Sequence, residues 1–142
     1  MRPIKYRAYL KNEKMMLPVI MLDYDYRGEG KLVYVDTINP SGDVEADPWE
    51  NRIEDVELMQ FTGLHDQDGR EIYEGDIISY DWIYNDPDWT YGAGNEPKEV
   101  VRWNDKRTGY SPITDQDQFY TIKNIQIQGN IYQNPELLED TP

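Results

Sequence analysis

Strand-like alternation is the feature that most narrows the folds open to this chain. In residues 4–10, Ile4, Tyr6, Ala8 and Leu10 fall on one face and Lys5, Arg7 and Tyr9 on the other. In residues 77–84, Ile78, Tyr80, Trp82 and Tyr84 share a face, opposite Ile77, Ser79, Asp81 and Ile83. A strict period of two is the signature of a half-buried β-strand. The best helical candidate in the N-terminal half is 48–56, where Asp47 can cap and Pro48 fits the first helical position, and its apolar pattern is weak. The pattern therefore predicts a mostly β protein.

Between these stretches, turn chemistry divides the chain. The apolar run 14–22 holds Pro18 and suits an edge or irregular strand. Turns are expected at 27–30, 39–43 and 66–69, separated by strands at 32–38 and 58–62. Residues 85–97 read as a polar loop carrying Trp89 and Tyr91. A short strand at 98–103 precedes a turn at 104–109, and Ser111-Pro112 can cap one turn of helix. Residues 119–131 read as one or two strands broken near Gly129-Asn130. A short helical turn follows, with Asn134 as cap, Pro135 at its first position and Glu136 near its positive end.

Charge is lopsided. The 142 residues include 28 acidic and 14 basic groups, a net −14, and this argues against direct binding of nucleic acid or anionic lipid. Residues 1–20 hold five bases and one acid, so the remaining chain carries −14 − 4 = −18. Residues 41–96 alone carry sixteen acids, among them Asp43, Glu45 and Asp47, against Arg52 and Arg70. Such a band either solvates the protein or meets a basic partner. With Ile4, Tyr6 and Ala8 inward, Lys5, Arg7 and Lys11 form a cationic stripe that should lie against acids of the same chain or of a neighbouring copy. An edge position for this strand would favour a homo-oligomer. No apolar run approaches the ~20 residues of a membrane-spanning helix. The first residues lack the apolar core of a signal peptide, so a cytoplasmic protein is expected.

The chemistry that the residue types allow is narrow. With no cysteine, disulfides, thiolate zinc sites and cysteine nucleophiles are excluded. His65 is the only histidine, so a Ser-His-Asp arrangement would need it beside Ser41, Ser79 or Ser111, yet it sits in a turn-rich stretch. A catalytic zinc usually takes two or three histidine or cysteine ligands. Asp66-x-Asp68 fails as an EF-hand loop, because Glu71 stands where glycine is needed and Ile77 where glutamate is needed. Gly92-x-Gly94 lacks its third glycine. A carboxylate pair such as Asp76 with Asp81 is too common in so acidic a chain to point to a hydrolase. No enzyme activity, metal or cofactor is expected. Twelve Tyr and four Trp against two Phe favour rings with a polar edge, as at wet interfaces or half-buried sheets.

Three blocks carry a resemblance: Ile4-Lys5-Tyr6-Arg7-Ala8, the stretch from Gln60 through Thr62-Gly63-Leu64, Asp68-Gly69 and Ile72-Tyr73-Glu74-Gly75-Asp76-Ile77, and Gly129 to Leu138. Together they resemble the YopX-like proteins of bacteriophages and prophages. The resemblance implies an α+β, mostly β fold, with an irregular N-terminal half and a C-terminal SH3-like small barrel. We divide these halves as 1–56 and 57–142, within one compact unit. It also implies expression in the cytoplasm of a bacterial host, and it implies no reaction. Physical roles can be assigned to the shared residues. Gly63, Gly69 and Gly75 serve backbone conformation. Asp76 closes a turn by accepting backbone N–H groups. Tyr73, Ile72 and Ile77 fill the junction between halves, and Ile131, Tyr132, Pro135 and Leu138 dock the C-terminal turn.

The expected function is a non-enzymatic phage accessory protein that binds an unknown phage or host protein. Its candidate surfaces are Trp89 and Tyr91, the acids Asp43, Glu45 and Asp47, and the cations Lys5 and Arg7. One alternative is an acidic mimic of nucleic acid that occupies a host DNA-binding protein. The other is a carboxylate-based hydrolase, for which the residues offer almost no support.

Overall fold

The computed structural model describes residues 4–24, 31–35, 49–84, 92–95, 98–115 and 120–139. The expected turns at 27–30 and 39–43, the Asp47-Pro48 cap and the aromatics Trp89 and Tyr91 lie outside these residues, as do Asp43 and Glu45. The chain divides into two compact units, 1–61 and 62–142.

The first unit is built from antiparallel strands β1 (Tyr6–Leu10), β2 (Met15–Tyr24), β3 (Lys31–Val35), β4 (Trp49–Arg52) and the start of β5 (Val56–His65). They lie in the order β4-β3-β2-β1-β5. Ala8, Leu10, Val33, Val35 and Val56 are buried together, flanked by Leu17, Val19, Leu22, Ile53 and Leu58. The alternation in β1 thus directs Ala8 and Leu10 into a core, but Ile4 precedes the strand and is 81% exposed. It lies outside the ladder, which begins at Tyr6, so no neighbouring strand covers it.

Three expectations about this unit are corrected. β1 is not an edge strand, because it pairs with β2 on one side (Ala8↔Leu17) and β5 on the other (Ala8↔Leu58). β2 is also interior, paired with β1 and β3. Its irregularity is a register shift between Val19 and Met21. Pro18 pairs with Arg7, while the described pairing toward β3 starts only at Val19↔Val35, so that ladder does not require the missing N–H of proline. Within the expected helix 48–56, the described residues 49–56 are not helical in the α sense. Trp49–Arg52 pair with β3, and Ile53–Asp55 form one 3-10 turn. The weak helical pattern loses to the backbone hydrogen bonds that β3 offers, reinforced where the Asn51 side-chain amide donates to the Val33 carbonyl at 3.5 Å.

The second unit begins with the end of β5, which runs ten residues to His65 and so places this histidine at an exposed strand end rather than in a turn. It continues with β6 (Glu71–Tyr73), β7 (Asp76–Tyr84), β8 (Gly92–Asn95), β9 (Glu99–Val100), β10 (Arg102–Asn104), β11 (Gly109–Ser111) and β12 (Tyr120–Asn130). β7 is central to a sheet ordered β12-β7-β8, with β9 also paired to β7. Gly92–Asn95, expected in a loop, is therefore a strand, because β7 offers it an open edge at Asp81–Tyr84. β10 and β11 form a separate hairpin. Ile72, Ile78, Tyr80, Val101 and Tyr110 make the core, joined by Leu64, Trp82, Ile113, Ile122, Ile125 and Ile127. Ile78, Tyr80 and Trp82 share the face that the alternation assigns them. Ile77, on the opposite face, is fully buried as well.

Among the described residues these sheets do not close into a barrel, and no α-helix is present. No described helix is long and apolar enough to cross a membrane. Ser111-Pro112, expected to cap a helical turn, has a cis peptide bond and leads into a hydrogen-bonded turn. There the amides of Ile113 and Thr114 both donate to the Tyr110 carbonyl at 2.8 Å. A 3-10 helix at Pro135–Leu138 supplies the expected C-terminal turn, with Pro135 at its start. Asn134 does not cap it by side chain. Its Oδ1 instead accepts from the Asn130 amide at 3.2 Å, which secures the end of β12. Of the four apolar residues expected to dock this turn, Ile131 and Tyr132 are half-buried, whereas Pro135 and Leu138 are exposed.

Candidate functional site

The central block folds around two short turns. At the first, β5 returns as β6 through Asp66-Gln67-Asp68-Gly69-Arg70, and the Gly69 amide donates to the Asp66 carbonyl at 3.0 Å. At the second, β6 returns as β7 through Glu74-Gly75. The Asp76 carboxylate, almost fully buried, accepts from the Tyr73 amide at 2.8 Å. Gly63, Gly69 and Gly75 have φ of 85°, 84° and 85°, a region where a Cβ is strained. At Gly69 an added Cβ would meet nothing within 4 Å, so strain is the whole effect there. Gly69→Ala should lower unfolding free energy by about 1 kcal/mol. Chemical denaturation measures it, and an unchanged midpoint would be inconsistent with the left-handed backbone.

Asp66 is the polar centre of this region. Its side chain is fully buried and within 3.0 Å of the Arg70 guanidinium. Oδ1 accepts from the amides of Asp68 and Arg70, each at 2.9 Å. Oδ2 accepts from Arg70 Nε at 3.0 Å and from the Ile127 amide at 3.2 Å. Arg70 also donates to the Ile127 carbonyl, and the Gln67 amide to the Ile125 carbonyl. The turn is thereby fastened to β12 where that strand is irregular: its register shifts between Lys123 and Gln126, and Asn124 has φ of 55°. Burial alone would raise the Asp66 pKa. The Arg70, Ile127 and Asp68 amides and the Arg70 charge outweigh it and hold the carboxyl below the ordinary aspartate range. This role was legible only as Asp-x-Asp-Gly-Arg, a pattern shared by any acidic turn.

The β10–β11 hairpin is a second polar cluster. Trp103 is 46% exposed, stands edge-on to Tyr110 at 5.1 Å between ring centroids, and donates its indole N–H to Asp105 at 2.7 Å. Buried Asp115 accepts from the Asn104 side-chain amide at 3.0 Å, and Arg107 donates to the Asp115 carbonyl at 3.0 Å. On β9, Glu99 accepts from the Tyr80 hydroxyl at 2.7 Å.

The cations singled out by sequence do not make an open stripe. Lys5 lies 5.5 Å over the Phe61 ring, and Arg7 is half-buried within the ladder. Lys11 pairs with Glu57 of the same chain at 3.2 Å and donates to the Glu54 carbonyl at 3.1 Å. Among the described residues there is no group of three or more acidic, histidine or cysteine side chains placed to hold a metal.

Comparison with known proteins gives a match over nearly the whole chain. The family model described as YopX protein matches residues 5–139. Among solved structures, protein EF1440 from Enterococcus faecalis is similar, with a TM-score of 0.59 and 25% sequence identity over 98% of this chain and 100% of that one. None of the curated proteins matches. The matched region takes in the central and C-terminal blocks whole and all but Ile4 of the first, and on that match the chain belongs to the YopX family.

Proposed function

We propose that this is a non-enzymatic binding module, made by a phage or prophage in the cytoplasm of a bacterial host, that acts by holding a protein partner. The observation that carries the reading is apolar surface left uncovered on the first unit. The register shift in β2 turns both Ile20 and Met21 outward, 54% and 50% exposed, and Met15 and Trp49 are also exposed. Adjacent exposed apolar side chains beside polar neighbours are the composition of a protein-docking surface. An SH3-like course for the second unit belongs to the same reading, supported by the antiparallel β7 sheet with its short β9 and separate hairpin. A homo-oligomer built on β1 fits this reading only through side chains, because β1 has both its ladders filled.

Capture from host lysate by the wild type and an Ile20→Glu/Met21→Glu variant tests the reading. The same few proteins should be enriched by the wild type and lost from the variant, with circular dichroism unchanged. Identical captured sets would refute it. A second reading, mimicry of nucleic acid, rests on the net charge of −14. It predicts capture of a DNA-binding protein that moderate salt releases and the Ile20/Met21 change leaves intact.

A further inference from the structure

An antiparallel sheet with one face on a core normally makes its other face polar. In the first unit, Val19 and Leu22 of β2 and Val33 and Val35 of β3 face the core. Directly paired residues share a face, so the register lays the outward side chains in rows across β2, β3 and β4. Met21 stands beside Tyr34 and Tyr34 beside Glu50. In the next row of the same face, Asp23 stands beside Leu32 and Leu32 beside Arg52. Ile20 is the extra residue of the β2 bulge and joins Met21 on this side, about half exposed like it. Met15 and Trp49 belong to the other face, because they pair with the core residues Leu10 and Val35. The charges beside the apolar patch are mainly acidic. Among the described residues neither Asp23 nor Glu50 has a basic partner, and Arg52 has Glu54 at 4.0 Å. Arg7, opposite Pro18, is half-buried on β1. Glu50 accepts from the Tyr34 hydroxyl at 3.3 Å. Partial burial, and then the charges of Glu50 and Asp23, push that hydroxyl above the ordinary tyrosine range, so the local potential is negative despite Arg52.

We propose that this face docks a basic amphipathic helix of a partner protein, with Ile20, Met21 and Leu32 against its apolar stripe and Asp23 and Glu50 as contacts for its lysines or arginines. The assignment rests on the binding-module reading and names a partner chemistry for the same surface. A sheet buries an apolar face under helices or under a second sheet. Among the described residues there is no α-helix to serve as that layer. Charge complementarity selects the occupant. A second sheet from another copy would bring its own Asp23 and Glu50 and a further −14, so like charge would meet like. A basic helix is drawn in by the same net charge and finds carboxylates beside the apolar patch. The flexible Met21 side chain adapts to whichever apolar residues the helix presents.

The test is fluorescence anisotropy of a labelled helical peptide of about 18 residues, with leucines three and four apart and lysines on both flanks, titrated with the full-length protein. One control peptide carries glutamine in place of lysine, and the other keeps the lysines and carries alanine in place of leucine. The parent peptide should bind, and each control should bind at least about tenfold more weakly. Binding of the parent should also weaken about tenfold for Ile20→Ser/Met21→Ser and for Asp23→Lys/Glu50→Lys, and should fall as salt rises from about 50 to about 300 mM. Met21→Leu, which keeps an apolar side chain of similar size, should retain most of the affinity and so separates docking from misfolding. No binding of the parent peptide, equal binding of either control, or indifference to the charge reversal would overturn the proposal. So would self-association in sedimentation that Ile20→Ser/Met21→Ser abolishes, which would make a second copy the occupant. Lysate capture that survives Asp23→Lys/Glu50→Lys but not Ile20→Glu/Met21→Glu would overturn the basic partner and leave the binding-module reading standing.

Discussion

Asp66→Asn should destabilise the second unit by about 3 kcal/mol at neutral pH, because a fully buried carboxylate loses its charge-assisted bonds to the half-exposed Arg70 and leaves the Ile127 amide without its acceptor. The size follows from donor geometry. An asparagine can keep its oxygen where Oδ1 accepts from the Asp68 and Arg70 amides. Its amide nitrogen then faces Arg70 Nε and the Ile127 N–H, so donors confront donors. The Ile127 amide should lose protection from hydrogen exchange first, since of the bonds that tie the turn to β12 it is the one that ends on the Asp66 carboxylate.

The pH dependence has a definite sign. The folded-state pKa of Asp66 lies below its ordinary value, so the unfolded chain binds the proton more readily. The contribution is fully present above the unfolded pKa of ~4 and is lost as pH falls through the lower folded value. The gap between wild type and Asp66→Asn should thus be constant at neutral pH and narrow below pH ~4. A gap under about 1 kcal/mol at pH 7, or one that widens on acidification, would contradict this account of the site.

Ile78→Ala should be the most damaging apolar change in the same unit, at about 4 kcal/mol, whereas Ile78→Val should remove only about 1 kcal/mol. Ile78 is fully buried and packs with Ile72, Tyr80, Val101 and Tyr110. It is also fixed from both sides, opposite Ile127 on β12 and Glu99 on β9, so the backbone cannot collapse into the space that a truncation leaves. Urea unfolding of the two variants measures the ratio. Near-equal losses would mean that the site repacks freely.

Local pattern was enough for the elements whose fate depends on neighbours in sequence. The alternation in 77–84 put Ile78, Tyr80 and Trp82 on one face, and that face lies against the core. The turn at 66–69 follows from Asp-Gly chemistry, and the left-handed backbone of Gly69 follows with it. The candidate surface was less legible. Trp89, Tyr91, Asp43, Glu45 and Asp47 stood out by composition and fall outside the described residues. The face around Ile20 and Met21 comes into view only once the register shift in β2 turns both side chains outward.

By itself the sequence determined that the chain is strand-rich, where several of its turns fall, that no cysteine chemistry is open to it, and which family it resembles. Only the tertiary structure decided which strands are interior, because edge or centre depends on distant partners. β1 is enclosed by β2 and β5, the latter reaching it from about fifty residues along the chain. The same holds for Trp49–Arg52, whose weak helical pattern yields to the ladder that β3 presents. It holds most for Asp66, one acid among 28, which becomes a buried tie to Ile127 because the fold brings its carboxylate to an amide 61 positions away in sequence. Long-range pairing of this kind leaves no local periodicity, so the physics that sets it becomes visible only when the strands are side by side.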